Sequence, residues 1–270
     1  GRGVDIDVLW YREDDRPGYF MLLATPQVDV EQREALPKNV VFVLDRTGSM
    51  AGEKIIQARD AVKYCLNSLK PQDRFNFISF NESPEALWKE LKPATRQNID
   101  EAVGKVDRLD ASSGTNLNAA LVNALRTYSE KSSRNFMIFV TDGLPTVGER
   151  DVENILKNAK EANSCGVRIF TFGVGYDVNA HLLDRLAEQS GGAPDYVLPG
   201  EDIESKVSAF FVRVSEPVLT DLRIDVEGVR VSDTYPGSPL PDLFKGSQLI
   251  LCGRYEGEGK AVFKLSGASA

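Results

Sequence analysis

Short runs of Val, Ile and Phe, separated by stretches in which apolar residues return every three or four positions, dominate the middle of the chain. The runs NVVFVLD (39–45), RFNFISF (74–80), FMIFVTD (136–142) and RIFTFGV (168–174) are nearly continuous in apolar residues. Strands covered on both faces have this composition. Between them, three groups recur at helical spacing: Ala58, Val62, Cys65, Leu66 and Leu69; Leu117, Ala120, Leu121, Ala124 and Leu125; Val152, Ile155, Leu156 and Ala159. Two more helices are expected near 178–190 and 201–215, the second carrying Ile203, Val207, Phe210, Phe211 and Val214. Strands alternating with crossover helices predict an α/β fold around a doubly wound, mostly parallel sheet.

The two ends follow a different period. VDIDVLWY (4–11) and GYFMLLAT (18–25) read as two strands joined by the turn-rich REDDRPG. After Pro217 the segments LTDLRIDVEGVRVSDTYP, SQLILCGRYEGEG and KAVFKLSG alternate apolar and polar residues, as antiparallel strands with one solvated face do. Neither end holds enough strands to be stable alone. The pattern therefore predicts a discontinuous β-sandwich domain from 1–35 with 216–270, with the α/β domain, 36–215, inserted between its halves.

Composition narrows the class of function. The 270 residues are 42% hydrophobic and 27% charged, with net charge -8, as in soluble globular domains. Nucleic acid is not an expected partner, because no clustered Lys/Arg run is present; divalent cations suit the acidic balance better. No apolar stretch reaches the ~18–20 residues that span a bilayer, and Gly1-Arg2-Gly3 is not a signal peptide. The chain opens without Met and almost directly on a strand, as expected of a fragment or processed form. Cys65, Cys165 and Cys252 are scattered and odd in number, so small buried thiols are expected rather than a disulfide framework or a metal site.

The candidate chemistry lies at strand ends. Ligands of open parallel sheets bind at the carboxyl ends of the strands, where Asp45 and Asp142 fall. Two carboxylates brought together repel unless a cation lies between them. Thr47 and Ser49 follow Asp45 at alternate positions and add neutral hard oxygens; Thr115, after Gly114 and before a helix, adds another. Few carboxylates plus hydroxyls suit Mg²⁺, which takes an octahedral oxygen shell and keeps several waters. His181, the single histidine, lies in a predicted helix and is expected at the surface. Alone, Ser113 or Thr115 reads as a helix cap and Asp142 as a strand-to-turn residue.

Together, DRTGSM, SGTN and TDG resemble the three loops of the metal-ion-dependent adhesion site of von Willebrand factor A domains, over about 36–215. The resemblance makes Asp45, Thr47 and Ser49 the first-loop ligands, Thr115 the second-loop threonine and Asp142 the third-loop aspartate. Thr47 departs from the usual serine, keeping the hydroxyl and adding a methyl. The flanks YREDDRPGYFMLLATP and YPGSPLPDLFKGSQLILCGRY look like those bracketing this domain in inter-alpha-trypsin inhibitor heavy chains and their bacterial relatives, which usually carry a further β domain upstream. The resemblance implies a divalent-cation-dependent protein-binding module, not an enzyme, whose Mg²⁺ (or Mn²⁺ or Ca²⁺) is completed by an acidic residue of a protein partner. It also implies an extracellular, cell-surface or bacterial-envelope setting. Arg46 and Met50 flank the site and are expected to pack or be solvated.

The rival is enzymatic. VFVLDRTGS also looks like the strand and loop of aspartyl-phosphate phosphotransferases and phosphatases, with Asp45 as nucleophile and Mg²⁺ on the phosphate. That chemistry needs a paired acidic loop, whereas VTDGLPTVGE has one aspartate and no acidic neighbour before Glu149. SGTN also fits the adhesion pattern better.

Overall fold

The computed structural model describes residues 3–13, 16–27, 37–112, 114–132, 134–214, 217–244 and 246–269. In chain order the first elements are β1 (Val4–Tyr11), β2 (Gly18–Pro26), β3 (Asn39–Asp45), a 3₁₀ turn (Gly48–Met50) and α1 (Glu53–Asn67). There follow β4 (Arg74–Phe80), β5 (Pro84–Ala86), β6 (Lys92–Pro93), α2 (Arg96–Asp107), α3 (Leu117–Leu125), β7 (Asn135–Thr141) and α4 (Val152–Ala162). The last are β8 (Arg168–Val174), α5 (Ala180–Ser190), β9 (Pro194–Val197), α6 (Ile203–Val214), β10 (Pro217–Glu227), β11 (Arg230–Tyr235), β12 (Leu243–Phe244), β13 (Leu249–Glu256) and β14 (Val262–Ser269). The chain divides into two compact units, Leu36–Val212 and Gly1–Ala35 with Arg213–Ala270. The domain boundaries expected at 35/36 and 215/216 lie outside the described residues.

The larger unit is doubly wound. Its seven-stranded sheet runs β5-β4-β3-β7-β8-β9, with β6 also on β4. β3, β4, β7, β8 and β9 are parallel, while β5 and β6 are antiparallel to β4. The chain goes from β3 outward to β4, then returns to the other side of β3 for β7. The strand order therefore reverses between β3 and β7, which makes that boundary the topological switch point where loops diverge and leave a crevice.

Every side chain of β7 and β8 is buried, which explains why their sequences lack alternation. On one face Val41, Val43, Ile78, Phe80, Met137, Phe139 and Ile169 share a core with Leu121 of α3, Ile155 of α4 and Leu186 of α5. On the other, Phe42 meets Phe211 of α6 at 5.6 Å between ring centroids, and Phe170 and Phe172 meet Phe210 at 5.3 and 5.0 Å. Burial of side chains this size contributes roughly 1.5–3 kcal/mol each. Among them the hydroxyl of Tyr128 accepts the Val41 N–H at 3.1 Å and donates to the Phe136 carbonyl, tying β3 to β7. Burial pushes its pKa well up, so it stays a donor.

The second unit joins both ends of the chain. One sheet is β1-β2-β13-β11 and the other β12-β10-β14. Phe20, Leu22 and Ala24 of β2 and Leu249 and Leu251 of β13 share a core with Leu222 of β10 and Leu243 of β12. Phe263 of β14 lies 5.2 Å from both Trp10 and Phe20.

Several elements escaped the periodicity: α2, β5, β6 and β9. The run expected as a strand to Asp142 ends at Thr141, so Asp142 opens the loop. Tyr128→Phe is expected to cost about 0.5–1.5 kcal/mol in urea unfolding, because it removes a buried hydroxyl that hydrogen-bonds to both β3 and β7. A loss below roughly 0.5 kcal/mol would show that the hydroxyl bridges nothing of consequence.

Candidate metal centre

Asp45 ends β3 and Asp142 follows β7, so the two carboxylates straddle the switch point. Asp45 is fully buried. Its Oδ1 accepts the Thr47 N–H at 2.8 Å and its Oδ2 accepts the Thr141 hydroxyl at 2.6 Å. The 3₁₀ turn then brings the two hydroxyls of the first loop together, with Thr47 Oγ1 and Ser49 Oγ 3.1 Å apart. Ser49 donates in turn to Asp142 Oδ1 at 2.7 Å, and Lys54 of α1 donates to Asp142 Oδ2 at 2.7 Å. Ser49 is exposed while Thr47 is 2% exposed, so the cluster faces solvent on the Ser49 side.

Thr115 arrives from the second loop. Gly114 has φ +85, a conformation that favours glycine, and leads directly into it. The cap reading that Thr115 allows when taken alone does not hold: the cap of α3 is Asn116, whose side chain accepts the Ala119 N–H at 3.1 Å. Ser113 lies outside the described residues. Because Asn116 does the capping, the Thr115 side chain is released from that task.

The loops are locked to one another by main-chain bonds. Ser112 N–H donates to the Arg46 carbonyl at 2.8 Å, and Thr47 and Ser112 form a parallel bridge. Thr146 and Val147 N–H groups donate to the Thr115 carbonyl at 2.9 and 3.1 Å, and Thr115 N–H donates to Thr146 Oγ1 at 2.9 Å. Arg46 adds a staple, donating to Ser112 Oγ at 3.2 Å and to Glu85 at 2.5 Å. Arg46 and Met50 thus pack as expected, Met50 with no exposed surface. His181 is exposed on α5, and all three cysteines are free thiols, Cys65 and Cys165 buried.

Gly143 marks the space between the donors. A Cβ at that position would lie 3.5 Å from Thr115 Oγ1 and 3.9 Å from Asp45 Oδ2, so glycine keeps open the gap those two oxygens border. The donor set is two carboxylates and three hydroxyls, all hard oxygens, and it fits a small hard divalent cation. Among the described residues no three His, Cys, Asp or Glu side chains gather where they could hold a metal, so a soft or carboxylate-only site is not formed there.

The sequence did not single out Thr141, Gly143 or Lys54. Lys54 left a detectable signal: it sits in the first turn of α1, where the helix dipole disfavours a cation. An anion nearby offsets that small cost.

A doubly wound α/β domain with carboxylates and hydroxyls gathered at its switch point defines the class. The chain belongs to the von Willebrand factor type A domain family, whose family model matches residues 39–209. It is 31% identical over 249 residues to inter-alpha-trypsin inhibitor heavy chain H2 of Sus scrofa, covering 89% of this chain and 26% of that one. It is 32% identical over 253 residues to heavy chain H4 of Homo sapiens, covering 91% and 27%. The chain thus spans about a quarter of the length of these relatives. Among solved structures, a von Willebrand factor type A protein from Catenulispora acidiphila superposes with TM-score 0.77 at 17% identity, over 99% of this chain and 70% of that one. The ArnB paralog VWA2 from Sulfolobus acidocaldarius superposes at 0.61 and 17%, over 98% and 70%.

Burial raises the pKa of Asp45 from its ordinary 3.8 to about 6, opposed by the hydrogen bonds from Thr141 and Thr47 and reinforced weakly by the charge of Asp142. The folded state therefore holds this proton more tightly than the unfolded one, and the group lowers stability as pH rises from 3.8 through about 6. In chelator, the wild type should lose up to about 3 kcal/mol relative to Asp45→Asn between pH 4 and 7. Urea unfolding at several pH values checks this; parallel profiles for the two proteins would count against it.

Proposed function

We propose that this crevice binds a divalent cation, Mg²⁺ or alternatively Mn²⁺ or Ca²⁺, through Asp45, Thr47, Ser49, Thr115 and Asp142, and that the loaded site binds a protein. The partner presents an acidic side chain to it. The observation that carries this reading is the convergence of oxygens from three chain-distant loops, with Thr47, Ser49 and Asp142 in one hydrogen-bonded chain and a glycine gap beside Thr115 and Asp45. When bound, the cation supplies an electrophilic point that attracts a carboxylate in a partly dehydrated crevice.

The protein's own residues prepare for that role. Three of the five donors are neutral, so the ligand set offsets a divalent charge without quenching it. Thr141 orients Asp45 through Oδ2, and each Asp45 oxygen keeps a second lone pair for an ion or its water. The exposed Ser49 side gives a partner access. Membership of the von Willebrand factor type A family and likeness to inter-alpha-trypsin inhibitor heavy chains support a binding role in an extracellular, cell-surface or bacterial-envelope setting. No helix among the described residues is long and apolar enough to cross a membrane.

The phosphotransferase reading has little to rest on. The third loop offers Asp142 alone, already held by the Ser49 hydroxyl and the Lys54 ammonium. Glu149, the next acidic side chain, accepts the Arg150 and Asp151 N–H groups at 3.0 and 2.9 Å beside the start of α4.

Calorimetric titration of Mg²⁺ should give saturable binding to the wild type and at least roughly tenfold weaker binding to Asp45→Ala and to Gly143→Ala. Equal isotherms for all three would remove these residues from the site. Partner capture from an extracellular extract on immobilised protein should be released by chelator, and a phosphatase assay in the same buffer should give no turnover.

A further inference from the structure

Lys54 is a residue that the family resemblance does not carry over, yet its ammonium reaches the candidate centre. Its Nζ lies 2.7 Å from Asp142 Oδ2. The aspartate side chain is 0% exposed and the lysine side chain 40%, so a covered carboxylate is neutralised by a cation whose stem is open to solvent. The other Asp142 oxygen accepts the Ser49 hydroxyl. A side chain at Gly175 would begin 3.5 Å from the ammonium, so the lysine crosses from α1 to the end of β8. The first turn of α1 mildly disfavours a cation, and the contact with Asp142 offsets that cost.

We infer that Lys54 is a displaceable counter-ion: it compensates Asp142 when no divalent cation is bound, and it swings to solvent when one binds. The inference rests on the proposed cation site and adds a determinant of its affinity. A buried carboxylate left unpaired is strongly destabilising. An ammonium that stayed on Asp142 would also repel a divalent ion using the same carboxylate. Lysine suits the exchange better than arginine, because it is a compact point charge on a flexible four-carbon stem and does not form a planar fork with the carboxylate. The two cations oppose each other reciprocally: as much as Lys54 weakens the divalent ion, that ion must weaken the hold on Lys54.

The test uses the full chain and Mg²⁺ alone. Lys54→Met should bind Mg²⁺ more tightly than wild type by roughly tenfold, and should melt at a lower temperature in chelator. Lys54→Arg, which keeps the charge, should bind no more tightly than wild type. In the wild type, acylation of the Lys54 amine, followed by peptide mapping, should be faster in saturating Mg²⁺ than in chelator. Equal or weaker binding by Lys54→Met, or labelling of Lys54 that Mg²⁺ leaves unchanged, overturns the inference while the cation site stands. Failure of the wild type to take up Mg²⁺ overturns both. Should Lys54→Met not fold, the labelling of the wild type decides alone.

Discussion

Two carboxylates at the ends of neighbouring parallel strands are the constraint around which the larger unit is organised. The core places them there: β3 and β7 are central, apolar and covered on both faces, and their carboxyl ends meet at the switch point. The apolar effect that stabilises the sheet thereby concentrates negative charge where it is poorly solvated. That charge has to be compensated locally, by a main-chain N–H and the Thr141 hydroxyl on Asp45, and by the Ser49 hydroxyl and the Lys54 ammonium on Asp142. The raised pKa of Asp45 shows that compensation there is incomplete. On the proposed reading, a further cation would supply the compensation that is missing.

Holding hydroxyls in such a place needs rigid loops, and the rigidity comes from polar contacts between loops rather than from apolar packing. The second loop is pinned on one side by the Arg46 carbonyl and on the other by Thr146 and Val147. Asn116 takes over the helix cap, Gly114 makes the turn, and Arg46 ties the assembly to Ser112 and Glu85. A main-chain lock of this kind fixes where Thr47, Ser49 and Thr115 stand without using their side-chain oxygens for the purpose. Those oxygens stay available because the backbone does the holding.

This division also explains what the chain disclosed in advance. β3, β4 and β8 were legible to the residue, because strands buried on both faces leave an uninterrupted apolar run. α2 was not: it buries only Ile99, Ala102 and Val106 amid charged and polar residues. β9 opens on a proline and is four residues long, while β5 and β6 are short edge pieces without a pattern of their own. At the site, Asp45, Thr47 and Ser49 were legible from spacing within one loop, and Thr115 and Asp142 from their place before a helix and after a strand. Thr141, Gly143 and the pairing of Lys54 were not, since each acts on a residue far away in the chain and contacts at long separation have no period.

The proportion of neutral to charged donors then has a physical meaning. Additional carboxylates in place of Thr47, Ser49 and Thr115 would hold a cation more tightly, but would quench its charge and leave little attraction for an acidic partner. They would also add buried charge to a crevice where Asp45 is already pushed toward protonation. Hydroxyls avoid both costs, as each offers lone pairs to an ion and a proton to a carboxylate, and can turn from one task to the other. In the present arrangement Ser49 gives its proton to Asp142 and lies against Thr47. On the proposed reading, the same side chains satisfy the aspartate without an ion and would serve an ion once bound, so the folded loops would not need rebuilding between the two conditions.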